Sequence, residues 1–221
     1  MVPLDVVKID LKKWLWIITI PTLLILLALG IFQAGEPAGF SAITGTVLLA
    51  FTLLPSMLMR LGFLKENSYL RWLVKYRKDL GIISGTWLLS HGLISALFFF
   101  KRDESILDQL LAPPLQPVWI MIPILALMLI TSNKASERKL GRQWKNLHSL
   151  VWILPGLMFY HGNLAIANFE KEDFAPAAII LAVIAVVAIY EFFKTRSCKR
   201  VLLILIGFIF TMAFRSINAP A

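Results

Sequence analysis

The chain alternates long apolar blocks with short polar segments, most of them basic. Apolar runs cover residues 14–32, 40–59, about 79–100, 115–130, 147–167 and 174–193. A helix needs about 20 apolar residues to cross some 30 Å of hydrocarbon. The pattern therefore predicts an all-α fold, a polytopic membrane helical bundle with six transmembrane helices. The fourth run is somewhat short. A further apolar segment, 201–214, is only fourteen residues long. It leaves three readings open: a short seventh span, a re-entrant piece or an interfacial helix.

The segments between the runs have distinct characters. Residues 33–39 read as a tight turn, and 60–78 as a basic loop or interfacial segment. Residues 101–114 read as a polar loop, 131–146 as a basic loop, 168–173 as an acidic turn and 194–200 as a basic connection. Lys12 and Lys13 precede the first run in the manner of a signal peptide. The run is too long for a signal-peptide core, and no small-residue cleavage pattern follows, so a retained anchor helix is expected. The whole chain, 1–221, reads as one integral-membrane domain.

Composition agrees with this class. Hydrophobic residues make up 58% of the chain, charged residues 16%, and the mean hydropathy is +0.77. Soluble domains carry roughly 25% charged residues, so a soluble domain is excluded. A net charge of +9 would suit nucleic acid, but the basic residues sit in short loops rather than on one face. Of 22 Lys and Arg residues, eighteen lie in the N-terminus, 60–78, 131–146 and 194–200. The positive-inside rule places all four on the cytoplasmic side. The single cysteine, Cys198, excludes an internal disulfide and a cysteine metal cluster; it reads as a free thiol at a helix end.

Chemistry concentrates in three histidines. His91 lies thirteen residues beyond Lys78, and His161 thirteen residues beyond His148. At 1.5 Å per residue both are about 20 Å deep, on two helices that run the same way, in the outer half of the bilayer. Two imidazoles at matched depth suit bis-axial ligation of a haem iron, which favours electron transfer over oxygen binding. The plain alternative is a pair of hydrogen-bonded bundle residues, although ionisable groups inside spans are usually functional. His148, near the cytoplasmic interface, reads equally as a ligand or as a solvated side chain.

On the third helix Gly81, Gly85 and Gly92 fall within about 40° of one another. Ser84 and Ser95 flank this stripe, and His91 stands at its edge. Such a strip admits a flat macrocycle or simply a neighbouring helix. Carboxylates are missing from the spans near the histidines, which disfavours zinc or non-haem iron. Chains of intramembrane charges of the transporter kind are also lacking. Glu191 lies near a cytoplasmic helix end, where it can pair with Lys194 or snorkel. Asp79 is expected to cap the third helix. No phosphate loop, dinucleotide fingerprint or serine-nucleophile motif is present.

These residues carry a resemblance. Arg77-Lys-Asp-Leu80-Gly81 precedes His91; Leu125-Ala-Leu and Thr131-Ser132 follow. Then come Arg138-Lys-Leu140-Gly141-Arg142-Gln-Trp144-Lys-Asn-Leu147-His148 and His161. Over about residues 77–165 this order resembles the ferric-reductase-like transmembrane family. Within that family it is similar to the membrane haem subunits serving bacterial periplasmic methionine-sulfoxide reductases.

The resemblance implies a six-helix protein with a haem-binding core at about 40–194. It implies one haem b, with room for a second, ligated by His91 and His161, with a role for His148. Arg77, Lys78, Arg142 and Lys145 would hold haem propionates or a flavin phosphate, and FMN is an implied second cofactor. The positive-inside rule alone also accounts for each of these cations. The implied setting is the bacterial cytoplasmic (inner) membrane, with the N-terminus cytoplasmic. Electrons would enter from a cytoplasmic flavin reductase or the quinone pool. They would leave to a periplasmic molybdopterin-type reductase.

The chain thus reads as the electron-transfer subunit of an oxidoreductase, partnered by membrane lipid and not by nucleic acid. A ferric, cupric or superoxide-forming reductase component is the alternative within the class. A non-redox scaffold or permease with structural histidines is the alternative outside it. Two departures stand out. No histidine lies near Arg77 or Lys78 to face His148 across a second haem. Pro155-Gly156 also falls between His148 and His161, which a straight helix would place about 220° apart.

Overall fold

The computed structural model describes residues 17–22, 25, 36–62, 67–99, 115–169, 175–195 and 198–217. Most of the first predicted span, all of 101–114 and residues 170–173 of the predicted acidic turn lie outside them. Every regular element among the described residues is helical. The helices are α1 (Glu36–Arg60), α2 (Ser68–Lys75), α3 (Arg77–Phe99), α4 (Val118–Thr131) and α5 (Lys134–Leu140). They continue with α6 (Arg142–His148), α7 (Leu154–Phe169), α8 (Ala175–Thr195) and α9 (Lys199–Ile217). A 3-10 turn, Ser149–Ile153, joins α6 to α7.

α1 and α3 pack antiparallel, and small residues set their spacing. Arg77 donates to Ser56 Oγ at 3.1 Å, and buried Ser84 donates to the Gly45 carbonyl at 2.8 Å. A β-carbon on Gly81 would touch Thr52, and one on Gly45 would lie 2.8 Å from Leu88. Close backbone approach through small residues is the usual means of packing helices in an apolar solvent. Thr46 and Thr52 satisfy their hydroxyls on carbonyls of their own helix, so α1 buries no open polar group there.

The core runs from Leu49, Leu53 and Met57 of α1, through Ile124 and Leu125 of α4, to Leu154 and Leu157 of α7, Leu181 and Ile184 of α8, and Ile204 of α9. α8 shows why the bundle belongs in lipid. Ile184 is fully buried while Val186, on another face, is 64% exposed. A helix apolar on every side meets protein on one face and lipid on the rest. Gly39–Arg60 and Ala178–Thr195 are long and apolar enough to cross a membrane, with mean hydropathies of 1.8 and 2.1. Val118–Thr131 and Lys134–Leu140 make a third if the pair, bent by 99°, is one span.

Several boundaries differ from the sequence pattern. The predicted turn at 33–39 is already helical from Glu36. The basic segment 131–146 is two short helices rather than a loop. Asn133 caps α5 by accepting from the Ser136 amide at 2.8 Å, and Gly141, with φ of 51°, breaks the path into α6. Asp79 is the third residue of α3, not its cap, because the helix starts at Arg77. The fifth run is interrupted at Ser149–Ile153, upstream of Pro155-Gly156. Pro155 is the second residue of α7, at the junction where the 3-10 turn passes into the α-helix. The fourteen-residue segment belongs to a nineteen-residue helix, α9.

Candidate functional site

α3 and α7 bring His91 and His161 together. Their ring centroids stand 6.1 Å apart with the planes at 66°, and both side chains are half-buried. Two imidazoles on opposite sides of one metal ion, each bonded at about 2 Å, have ring centres about 6 Å apart. The angle between their planes is free to vary about the shared axis.

The small-residue stripe beside them divides into two parts. Gly81 meets Thr52, a β-carbon on Gly85 would lie 3.1 Å from Leu129, and Ser84 is bonded to α1, so these positions serve helix packing. Gly92 differs: a β-carbon there would meet nothing within 4 Å. The open part of the stripe is therefore next to His91.

His148, the last residue of α6, belongs to a separate network. Its ring stacks on Trp144 with centroids 4.0 Å apart, and its Nε2 lies 3.1 Å from Thr131 Oγ1. Trp144 donates to the Thr131 carbonyl at 2.9 Å. The Thr131 hydroxyl also lies 2.7 Å from the Leu127 carbonyl, and which of Thr131 and His148 donates to the other follows the tautomer of the ring. Thr131 thus ties the end of α4 to α6 across the bend, and Nε2 of His148 is occupied.

The basic residues separate by environment. Arg77 and Lys78 act electrostatically on His148, and Lys78 pairs with Glu137 at 3.6 Å. Burial, then the neighbouring Arg60 guanidinium, lowers the proton affinity of Arg77. Arg142 and Lys145 of α6 are exposed. No group of three or more His, Cys, Asp or Glu side chains able to hold a metal gathers among the described residues.

Glu191 sits in a charged centre whose partners the sequence does not name. Glu191 is 3% exposed and so does not snorkel. Its Oε1 pairs with Arg200 and lies 3.9 Å from Arg60, while the Lys194 ammonium reaches the Leu61 carbonyl. Arg200 also lies over the Trp152 ring at 5.1 Å. The cluster joins the ends of α1, α8 and α9 to the 3-10 turn. Its only trace in the sequence is an acid within an apolar run, with Arg200 nine residues on.

No family model and no solved structure matches the chain. Curated relatives do match. Proteins named protein-methionine-sulfoxide reductase heme-binding subunit MsrQ, from Brucella ovis, Brucella canis and Brucella suis, are each 30% identical over 114 residues. The match covers 51% of this chain and 52% of each relative, so the chain spans about half the length of the curated relatives it matches. With its apolar, outward-facing helices, the chain is an integral membrane protein homologous, over that half, to haem-binding subunits of methionine-sulfoxide reductase.

Proposed function

We infer that this chain is a six-helix membrane carrier of electrons that holds one haem b between His91 and His161. The observation that carries the reading is the 6.1 Å separation of the two rings, which suits two axial imidazoles on one iron. The open space at Gly92 supports it, because a flat macrocycle needs an adjacent strip without side chains. The haem, when bound, supplies one-electron redox chemistry. The protein's own part is to fix both imidazoles, exclude water with apolar helices and set the local dielectric. His148 is a positioning residue in this reading, because its Nε2 is committed to Thr131.

The charge distribution puts the basic segments on the cytoplasmic side; in this reading, as the family resemblance implies, electrons enter there from a flavin reductase or a quinone and leave to a periplasmic reductase of the molybdopterin type. The name of the relatives, heme-binding subunits of protein-methionine-sulfoxide reductase, supports a methionine-sulfoxide reductase as that partner. Exposed Arg142 and Lys145, with Arg77 and Lys78 near His148, suit an anionic group such as a haem propionate or the phosphate of FMN.

The test is a reduced-minus-oxidised optical spectrum of the purified protein, with haem measured per chain. The same spectra are taken for His91→Ala, His161→Ala and His148→Ala. A low-spin b-type spectrum lost with either of the first two and kept with the third is expected. Loss of a second, distinct signal with His148→Ala would mean two haems. A colourless wild type after haem supplementation would leave a non-redox scaffold.

A further inference from the structure

We propose that α2 is a docking face for anionic phospholipid headgroups on the membrane surface. The helix spans one end of the antiparallel α1–α3 pair, between Arg60 and Arg77, where the apolar helices give way to polar chain. The segment 60–78 holds six basic residues and one acidic. α2 has no fully buried residue. Its Leu70, Leu73 and Val74 are half-buried, whereas Arg71, Trp72 and Lys75 are exposed. Tyr69 is 69% exposed at the margin of that face.

Aromatic rings beside cations suit the headgroup layer, where the ring body sits among acyl carbons and the cation meets phosphate. An anionic leaflet attracts Lys and Arg held close to its surface. The face is also preorganised. Asn67 accepts from the amides of Tyr69 and Leu70 at 2.9 and 3.1 Å, which fixes the helix start. Trp72 packs on Tyr76 at 5.2 Å, and the Lys75 ammonium lies 5.6 Å from the Tyr76 ring centre. The basic helix α5 makes a contrast. It exposes Lys134, Arg138 and Lys139 without an exposed aromatic ring, as suits a solvated face.

The experiment is native mass spectrometry of the full chain in detergent, titrated with phosphatidylglycerol, phosphatidylcholine or inorganic phosphate. Phosphatidylglycerol should be retained at least fivefold better than phosphatidylcholine. The double variant Arg71→Gln with Lys75→Gln should remove most of that preference, and Trp72→Ser should weaken retention of both lipids about twofold. Lys134→Gln with Lys139→Gln should leave retention unchanged. Equal retention of the two lipids overturns the proposal. So does an equal loss in the α5 variant, which would show general charge attraction. Full competition by inorganic phosphate would show an ion site, and also overturns it. Gel filtration and melting temperature of the double variant are compared with wild type; where they differ, Lys75→Gln alone carries the same comparison.

Discussion

Gly156 and Gly207 meet backbone to backbone where α7 crosses α9. A β-carbon on Gly156 would stand 2.6 Å from the Ile204 carbonyl oxygen, and one on Gly207 2.6 Å from the Ile153 carbonyl oxygen. Neither obstacle is a flexible side chain that can turn aside. The crossing fixes α7 five residues before His161, so the C-terminal helix sets the position of one candidate ligand.

Gly156→Ala and Gly207→Ala should therefore each lower stability by roughly 1–3 kcal/mol, as overpacking does. Gly92→Ala, with open space around it, should be neutral or raise stability by up to about 1 kcal/mol, because a helical glycine costs backbone entropy. Thermal unfolding of the three variants in one detergent checks this. Equal melting temperatures for Gly207→Ala and wild type would contradict the crossing.

Glu191 and Arg200 form a buried pair, with side chains 4% and 16% exposed. Glu191→Ala leaves the Arg200 charge without its partner and should cost about 3–5 kcal/mol. Replacing both, as Glu191→Leu with Arg200→Met, should recover most of that loss, since an apolar pair avoids desolvation. Melting temperatures of the single and double variants decide it. A double variant no better than Glu191→Ala would show that Glu191 acts through Arg60 rather than Arg200.

The bond from His148 to Thr131 should show as coupling. Thr131→Val removes the hydroxyl but leaves the carbonyl of residue 131 to Trp144. His148→Phe keeps the stack and removes the ring nitrogen. Each should cost about 1 kcal/mol. In a double-mutant cycle the two should couple by at least about 0.5 kcal/mol. Additive losses would mean that the ring is held by stacking alone.

For the paired histidines a rescue experiment separates ligation from folding. His161→Ala should lose the low-spin haem spectrum and regain it when free imidazole is added to the protein reconstituted with haem. His148→Ala should need no rescue. A His161→Ala protein that keeps a wild-type spectrum would move ligation elsewhere. Gly92→Leu should lower haem content while preserving the monodisperse fold, because it fills the open part of the stripe.

Sequence alone sufficed wherever one segment decides by itself. Apolar runs and their lengths made the chain an all-helical membrane protein, since backbone polar groups in lipid must be satisfied within a helix. Counting residues from the basic boundaries gave His91 and His161 one depth, and their rings are neighbours. Tertiary structure decided the rest. Which glycines pack and which leave space depends on the rotation of α3 against α1 and α4, a quantity no periodicity records. The 3-10 turn ahead of Pro155, the Gly156–Gly207 crossing and the partners of Glu191 follow from how α7, α8 and α9 meet. Those contacts join residues distant along the chain, and their energy exists only once both helices are in place.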